Sequence, residues 1–140
     1  MCGAVRFTIR DGVTGFGACH CEMCRRWSGS AFLAVSVPRD ALVIEGSADI
    51  ARIQSSDWAE RAWCGKCGSN LWYRVTMEGA PETVEISLGL LDDTGGLSFD
   101  SEIFIDCKSD SFAFEGTKTR ETMTRAEVFA RYAPGAEPPS

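Results

Sequence analysis

Apolar residues in this chain gather in short stretches. Segments 4–9, 31–37, 42–45, 50–54, 61–63, 71–75, 83–88 and 102–106 carry β-branched or aromatic residues, the side chains that suit a pleated surface. Turn signals stand between them: Asp11-Gly12, Glu45-Gly46, Glu78-Gly79-Ala80-Pro81 and Thr94-Gly95-Gly96. Turns spaced by about ten residues predict an antiparallel, mostly β domain. Two short helices are predicted beside the strands. One follows Cys21 through Met23, Arg25 and Arg26. The other covers 125–132 and opens with Thr124-x-x-Glu127, the spacing of a capping box. The longest apolar stretches are short, such as 31–37, so none spans a membrane.

The chain has 140 residues, enough for one domain with its own core. That domain is expected over 1–132. Proline and glycine dominate 133–140, which reads as a disordered tail. The net charge of −6 argues against nucleic acid as a partner, since such proteins need a basic footprint. Met1-Cys2-Gly3-Ala4 lacks the basic and apolar regions of a signal peptide. A cytoplasmic location with reduced thiols is therefore expected. Seven cysteines, two of them in a C-x-C pair, do not suit a disulfide framework.

Five of those cysteines form two clusters, Cys19-His20-Cys21-Glu22-Met23-Cys24 and Cys64-Gly65-Lys66-Cys67-Gly68. Thiolates so closely spaced converge on one ion at little loop-closure cost. An all-sulfur site of this kind selects zinc or an iron–sulfur cluster. In an extended segment Cys19 and Cys21 share a face, and a turn after Cys21 brings in Cys24. Three thiolates leave a tetrahedral ion one open position, as in catalytic zinc sites. Glycines 65 and 68 permit the tight turn of a zinc knuckle at Cys64 and Cys67. Two partitions stay open at this point. Cys64 and Cys67 either join two cysteines of the first cluster, or they take partners elsewhere, with Cys2 the natural candidate.

Three motifs in order give the chain a resemblance. Cys2-Gly3-Ala4-Val5-Arg6-Phe7, Cys19-His20-Cys21-x-x-Cys24-Arg25-Arg26-Trp27-Ser28-Gly29-Ser30 and Trp63-Cys64-x-x-Cys67-Gly68-Ser69 resemble the glutathione-dependent formaldehyde-activating enzyme family, which shares its domain with centromere protein V. The resemblance runs from residue 2 to about residue 113. It implies a small antiparallel zinc-binding β domain with up to two zinc ions. A catalytic zinc would sit on Cys19, Cys21 and Cys24, and a structural zinc on Cys2, Cys64 and Cys67. The implied reaction adds glutathione to formaldehyde, giving S-hydroxymethylglutathione, and its formal class is carbon–sulfur lyase. The family's first motif reads C-x-C-G, whereas this chain begins Met1-Cys2-Gly3. Its first cysteine would stand just before Met1, so either the start lies too far downstream or the structural site is weak or empty. The family's late histidine and tryptophan correspond here to Glu102 and Ser111.

His20, the only histidine, lies between two ligands and is expected to face away from the ion in a hydrogen-bonding role. Arg25 and Arg26 are candidates to hold the carboxylates of a glutathione-like ligand; the plainer reading makes them solvated surface charges. Trp27, Trp63 and Trp72 read as core or pocket wall. Ser28-Gly29-Ser30 is either a helix-ending turn or a hydrogen-bonding loop. Cys107 reads as a buried thiol in an apolar strand, and Asp92-Asp93 as a turn. The leading function is an enzyme joining a small thiol to a small aldehyde, or cleaving such an adduct. The alternatives are a glutathione carrier and a non-catalytic zinc-stabilised binding module. A redox thiol protein built on Cys64-x-x-Cys67 fits less well, because no βαβ pattern surrounds the motif.

Overall fold

The structure is a computed structural model and describes residues 1–10, 12–116 and 119–135. In chain order the elements are β1 (Arg6–Ile9), β2 (Gly15–Cys19), α1 (Glu22–Ser28), β3 (Phe32–Pro38), β4 (Leu42–Glu45), β5 (Ile50–Ser56), β6 (Ala59–Cys64), β7 (Asn70–Val75), β8 (Thr83–Ser87), β9 (Ser98–Ile103), β10 (Glu121–Met123) and α2 (Arg125–Tyr132). The protein is thus mostly β with two short helices. Two compact units divide it: Met1–Thr14 with Ala34–Gly95, and Gly15–Leu33 with Gly96–Ser140.

The first unit is antiparallel, as the turn spacing predicts. β1 pairs with β4, and β3 pairs with β8, β8 with β7, β7 with β6 and β6 with β5. Strand periodicity explains its core. In β8, Val84 and Ile86 are buried, while Thr83, Glu85 and Ser87 between them are not. Opposite them in β3, Val35 and Val37 have no solvent exposure. Burying each of these branched side chains contributes about 1.5–3 kcal/mol. Gly46 turns the chain between β4 and β5 with φ of 74°. A Cβ at that position would overlap the Ala4 carbonyl oxygen, so only glycine lets the N-terminal segment pass this close.

The second unit departs from the antiparallel expectation. β9 pairs in parallel with both β2 and β10. Parallel neighbours need long connections, and the chain supplies them: everything between β2 and β9, then 104–120 between β9 and β10. Gly15 and Gly17 allow the first pairing. A Cβ on Gly15 would run into the Asp100 carboxylate, and one on Gly17 would come within 2.7 Å of Ser101 Oγ. Phe16 stacks on Phe99 across the strands, with centroids 4.7 Å apart.

The late strand also lies earlier than the 102–106 expected. Phe104 takes a left-handed conformation, φ 55°, and ends β9 at Ile103. Cys107 consequently sits in a short helical turn, half-buried, and not in an apolar strand. The capping box at Thr124 forms as expected. The Thr124 hydroxyl accepts from the Glu127 N–H, and Glu127 Oε2 accepts from the Thr124 N–H at 2.7 Å. Of the expected tail, 136–140 lie outside the described residues, as does Asp11 of the first turn signal. Among the described residues no helix is long and apolar enough to cross a membrane.

Candidate metal centres

Cys19 ends β2, Cys21 caps α1 and Cys24 lies in its first turn. Cys21 is extended (φ −60°, ψ 156°) and its Sγ accepts from the Cys24 N–H at 3.4 Å. The cysteine thus does the work that serine or aspartate does at other helix starts. This geometry brings the three sulfurs within 4.8 Å of one another. Cys24 is buried and the other two are half-buried. Gly29 closes the helix in the left-handed region, its N–H bonding the Arg25 carbonyl at 2.8 Å. Ser28 Oγ reaches the carbonyls of Cys24 (2.8 Å) and Ser30 (2.7 Å). The Ser28-Gly29-Ser30 segment is thus a helix-ending turn that also hydrogen-bonds a cysteine backbone. Trp27 packs on Phe32, centroids 5.2 Å apart.

In the first unit, Cys64 ends β6 and Cys67 follows in a turn closed by Gly68, whose N–H bonds the Cys64 carbonyl at 2.8 Å. Gly68 has φ 76°, the conformation the knuckle turn requires of a glycine. Cys2 comes from 62 positions away, its sulfur 3.7 Å from that of Cys64. Sulfurs of Cys2, Cys64 and Cys67 all lie within 4.8 Å of each other.

Both triads suit a metal ion on chemical grounds. With zinc–sulfur bonds of about 2.3 Å, tetrahedral ligands stand about 3.8 Å apart, and the sulfur spacings allow this. Thiolates crowded together repel, which raises the proton affinity of a buried thiol among them. Cys19 shows this. Its thiol is pushed well above the ordinary range by bonding to the Cys21 and Cys24 thiols, and then by burial. A divalent ion would displace those protons. Cys67 differs: the Ser69 hydroxyl, 3.4 Å away, and the Ser69 N–H pull its thiol down to about 6.

His20 faces away from the sulfurs' role, as its position predicts. It is fully buried, and its Nε2 bonds Glu102 Oε2 at 2.8 Å. Glu102, 5% exposed, also accepts from Arg120 Nε at 2.9 Å. The rings of Phe112 and Phe114 lie 6.4 and 6.0 Å from the imidazole. Glu22, between Cys21 and Cys24, accepts from Arg125 Nη2 through both oxygens, at 2.6 and 2.7 Å. The links of Glu102, Arg120 and Arg125 to the cysteine segment were not legible in the sequence, because they arise only through the fold. Arg25 is half-buried with its Nε unbonded among the described residues, and Arg26 is exposed. Asp92 lies at a bend, and Asp93 Oδ1 accepts from the Gly95 N–H at 2.7 Å, beside the turn at Gly95-Gly96.

A family model, glutathione-dependent formaldehyde-activating enzyme, matches residues 1–107 and so takes in both triads. The chain belongs to that family. A relative in Schizosaccharomyces pombe, named as an uncharacterized lyase, is 31% identical over 123 residues, covering 88% of each chain. A Podospora anserina protein, provisionally named a glutathione-dependent formaldehyde-activating enzyme, is 33% identical over 76 residues. That match covers 53% of this chain and 36% of the relative. A solved Rhodobacter sphaeroides protein shares the fold, with TM-score 0.54 and 21% identity over 70% of this chain and 94% of its own.

Proposed function

We propose that this protein is a zinc-dependent carbon–sulfur lyase that joins glutathione, or another small thiol, to formaldehyde or a related aldehyde. The observation that carries the reading is the gathering of Cys19, Cys21 and Cys24 at the start of α1, inside the stretch matched by the family model. Cys19, Cys21 and Cys24 would hold the catalytic zinc, and Cys2, Cys64 and Cys67 a structural one. Bound at the first triad, zinc would keep a substrate thiol ionised near neutral pH.

The remaining work falls to the chain. Arg25 and Arg26, one turn beyond Cys21, would hold the carboxylates of glutathione. Holding thiol and aldehyde in one geometry lowers the entropic part of the barrier. The thiol sulfur forms a bond to the aldehyde carbon, the carbonyl π pair moves to oxygen, and that oxygen takes up a proton. The reverse sequence releases aldehyde and thiol. A reducing, cytoplasmic setting would keep both triads as thiols. The crossed chain supports reading 1–132 as one domain.

Cobalt in place of zinc tests this, because the sulfur-to-cobalt charge-transfer band reports how many thiolates surround the ion. Glutathione should intensify the band of the Cys19/Cys21/Cys24 site. Arg25→Ala and Arg26→Ala should each weaken glutathione binding by ~1–3 kcal/mol, the worth of a charge-assisted contact. A spectrum indifferent to glutathione and to other small thiols would refute the enzyme and carrier readings together. It would favour a binding module whose metals only hold the fold.

A further inference from the structure

Two arginines beyond the family-matched stretch reach back to the cysteine segment. They reach two of the three residues interleaved with its ligands, His20 by way of Glu102 and Glu22 directly. His20 stands between Cys19 and Cys21, and its Nε2 donates to buried Glu102 at 2.8 Å. The other oxygen of Glu102 accepts from Arg120 Nε at 2.9 Å. Arg120 is a hub. Its Nη2 donates to the Phe114 carbonyl at 2.8 Å, and its guanidinium lies 4.4 Å over the Phe99 ring. Phe99 in turn stacks on Phe16 of β2. The second link runs through Glu22, between Cys21 and Cys24. Arg125 Nη2 bonds both its oxygens at 2.6 and 2.7 Å, and also lies 3.2 Å from Cys107 Sγ. The Arg125 N–H, at the start of α2, donates to Asp106 at 2.7 Å.

We propose that Arg120 and Arg125 are positioning residues for the Cys19/Cys21/Cys24 site. The proposal rests on the reading of that triad as a metal centre. Arg120 acts through Glu102 and His20 to fix the segment joining the first two cysteines. Arg125 acts through Glu22 to fix the start of the helix carrying the third. A buried carboxylate needs its cation, so Glu102 and hence His20 are held only while Arg120 is in place. Outer partners of this kind orient ligands that the ion alone does not.

The test compares variants of the full chain by three measurements. These are zinc affinity of each triad by chelator competition, the cobalt spectrum, and amide exchange of 19–24 in metal-free protein. Arg120→Gln should weaken zinc at Cys19/Cys21/Cys24 by about ten- to a hundredfold, leave zinc at Cys2/Cys64/Cys67 unchanged, and speed exchange at 19–24. Arg125→Gln should act in the same direction by less, because its ion pair is partly exposed. Lysine should discriminate the two. A single nitrogen of Arg125 makes both Glu22 contacts, so Arg125→Lys should restore the site. Arg120→Lys should not, since one ammonium cannot serve Glu102, the Phe114 carbonyl and the Phe99 ring together. Should Arg120→Gln fail to fold, Arg125→Gln and Glu22→Gln decide. Unchanged triad affinity and exchange with a lowered melting temperature would overturn the proposal and leave the arginines a purely structural part. Wild-type protein that takes no metal at this triad, with exchange still faster in the variants, would sink the functional reading and leave the bracing intact.

Discussion

Cys21 illustrates how much one residue can carry here. It caps α1, receives the Cys24 N–H and presents its sulfur to Cys19 and Cys24. Its neighbour His20 was expected to turn away from an ion, from alternation alone, and it bonds Glu102 instead of joining the sulfurs. The Cys19/Cys21/Cys24 cluster was legible because three thiols within six residues are a local signal. That Glu102 would answer His20 was not, since 82 positions separate them. At this scale the triads make a sharp prediction. Cys21→Ser should remove about one zinc per chain and spare the metal at Cys64 and Cys67, whereas Cys64→Ser should do the reverse. Metal analysis of each purified variant checks this. Loss of both ions from either folded variant would mean that the sulfurs serve a single site.

Among the elements, those with a strong local pattern appear where the sequence places them. α2 spans Arg125–Tyr132 behind its capping box, and β4 spans Leu42–Glu45. β2 was missed because Gly15 and Gly17 weaken any strand signal; its reason is the close approach of β9. β8 raises a question of charge. Glu85 is half-buried, accepts from Ser36 Oγ at 2.9 Å, and its carboxyl is raised from the ordinary range by burial. The sign follows from linkage. A raised acid binds its proton more tightly in the fold than in the unfolded chain. Its protonated form is favourable at low pH, and that benefit is lost as pH rises past 4.5 through the raised folded value. Glu85→Gln, which keeps an acceptor for Ser36, should therefore raise the melting temperature modestly near neutral pH. The gain should vanish below about pH 4, where the ordinary carboxylate is already protonated. An equal gain at both ends of a pH series of melting curves would assign the effect to something other than ionisation.

For the whole molecule, the decisive feature is that neither unit is one continuous stretch. Met1–Thr14 completes its unit only with Ala34–Gly95, and Gly15–Leu33 only with Gly96–Ser140. Each unit therefore waits on chain from both sides of the other. We expect 1–132 to unfold as one cooperative domain, with calorimetric and van't Hoff enthalpies equal; two resolved transitions in metal-loaded protein would show otherwise. The sequence by itself determined the short-range features: strand-forming segments, the capping box at Thr124, the two cysteine clusters and the knuckle glycines. Each depends on residues a few positions apart, whose backbone geometry alone brings them together. Only the tertiary structure decided the parallel pairing of β2 with β9 and the links from Arg120 to Glu102 and from Arg125 to Glu22. The second of those spans 103 positions. No spacing rule encodes such contacts, because they form only where burial and strand pairing together offset the entropy of closing long loops.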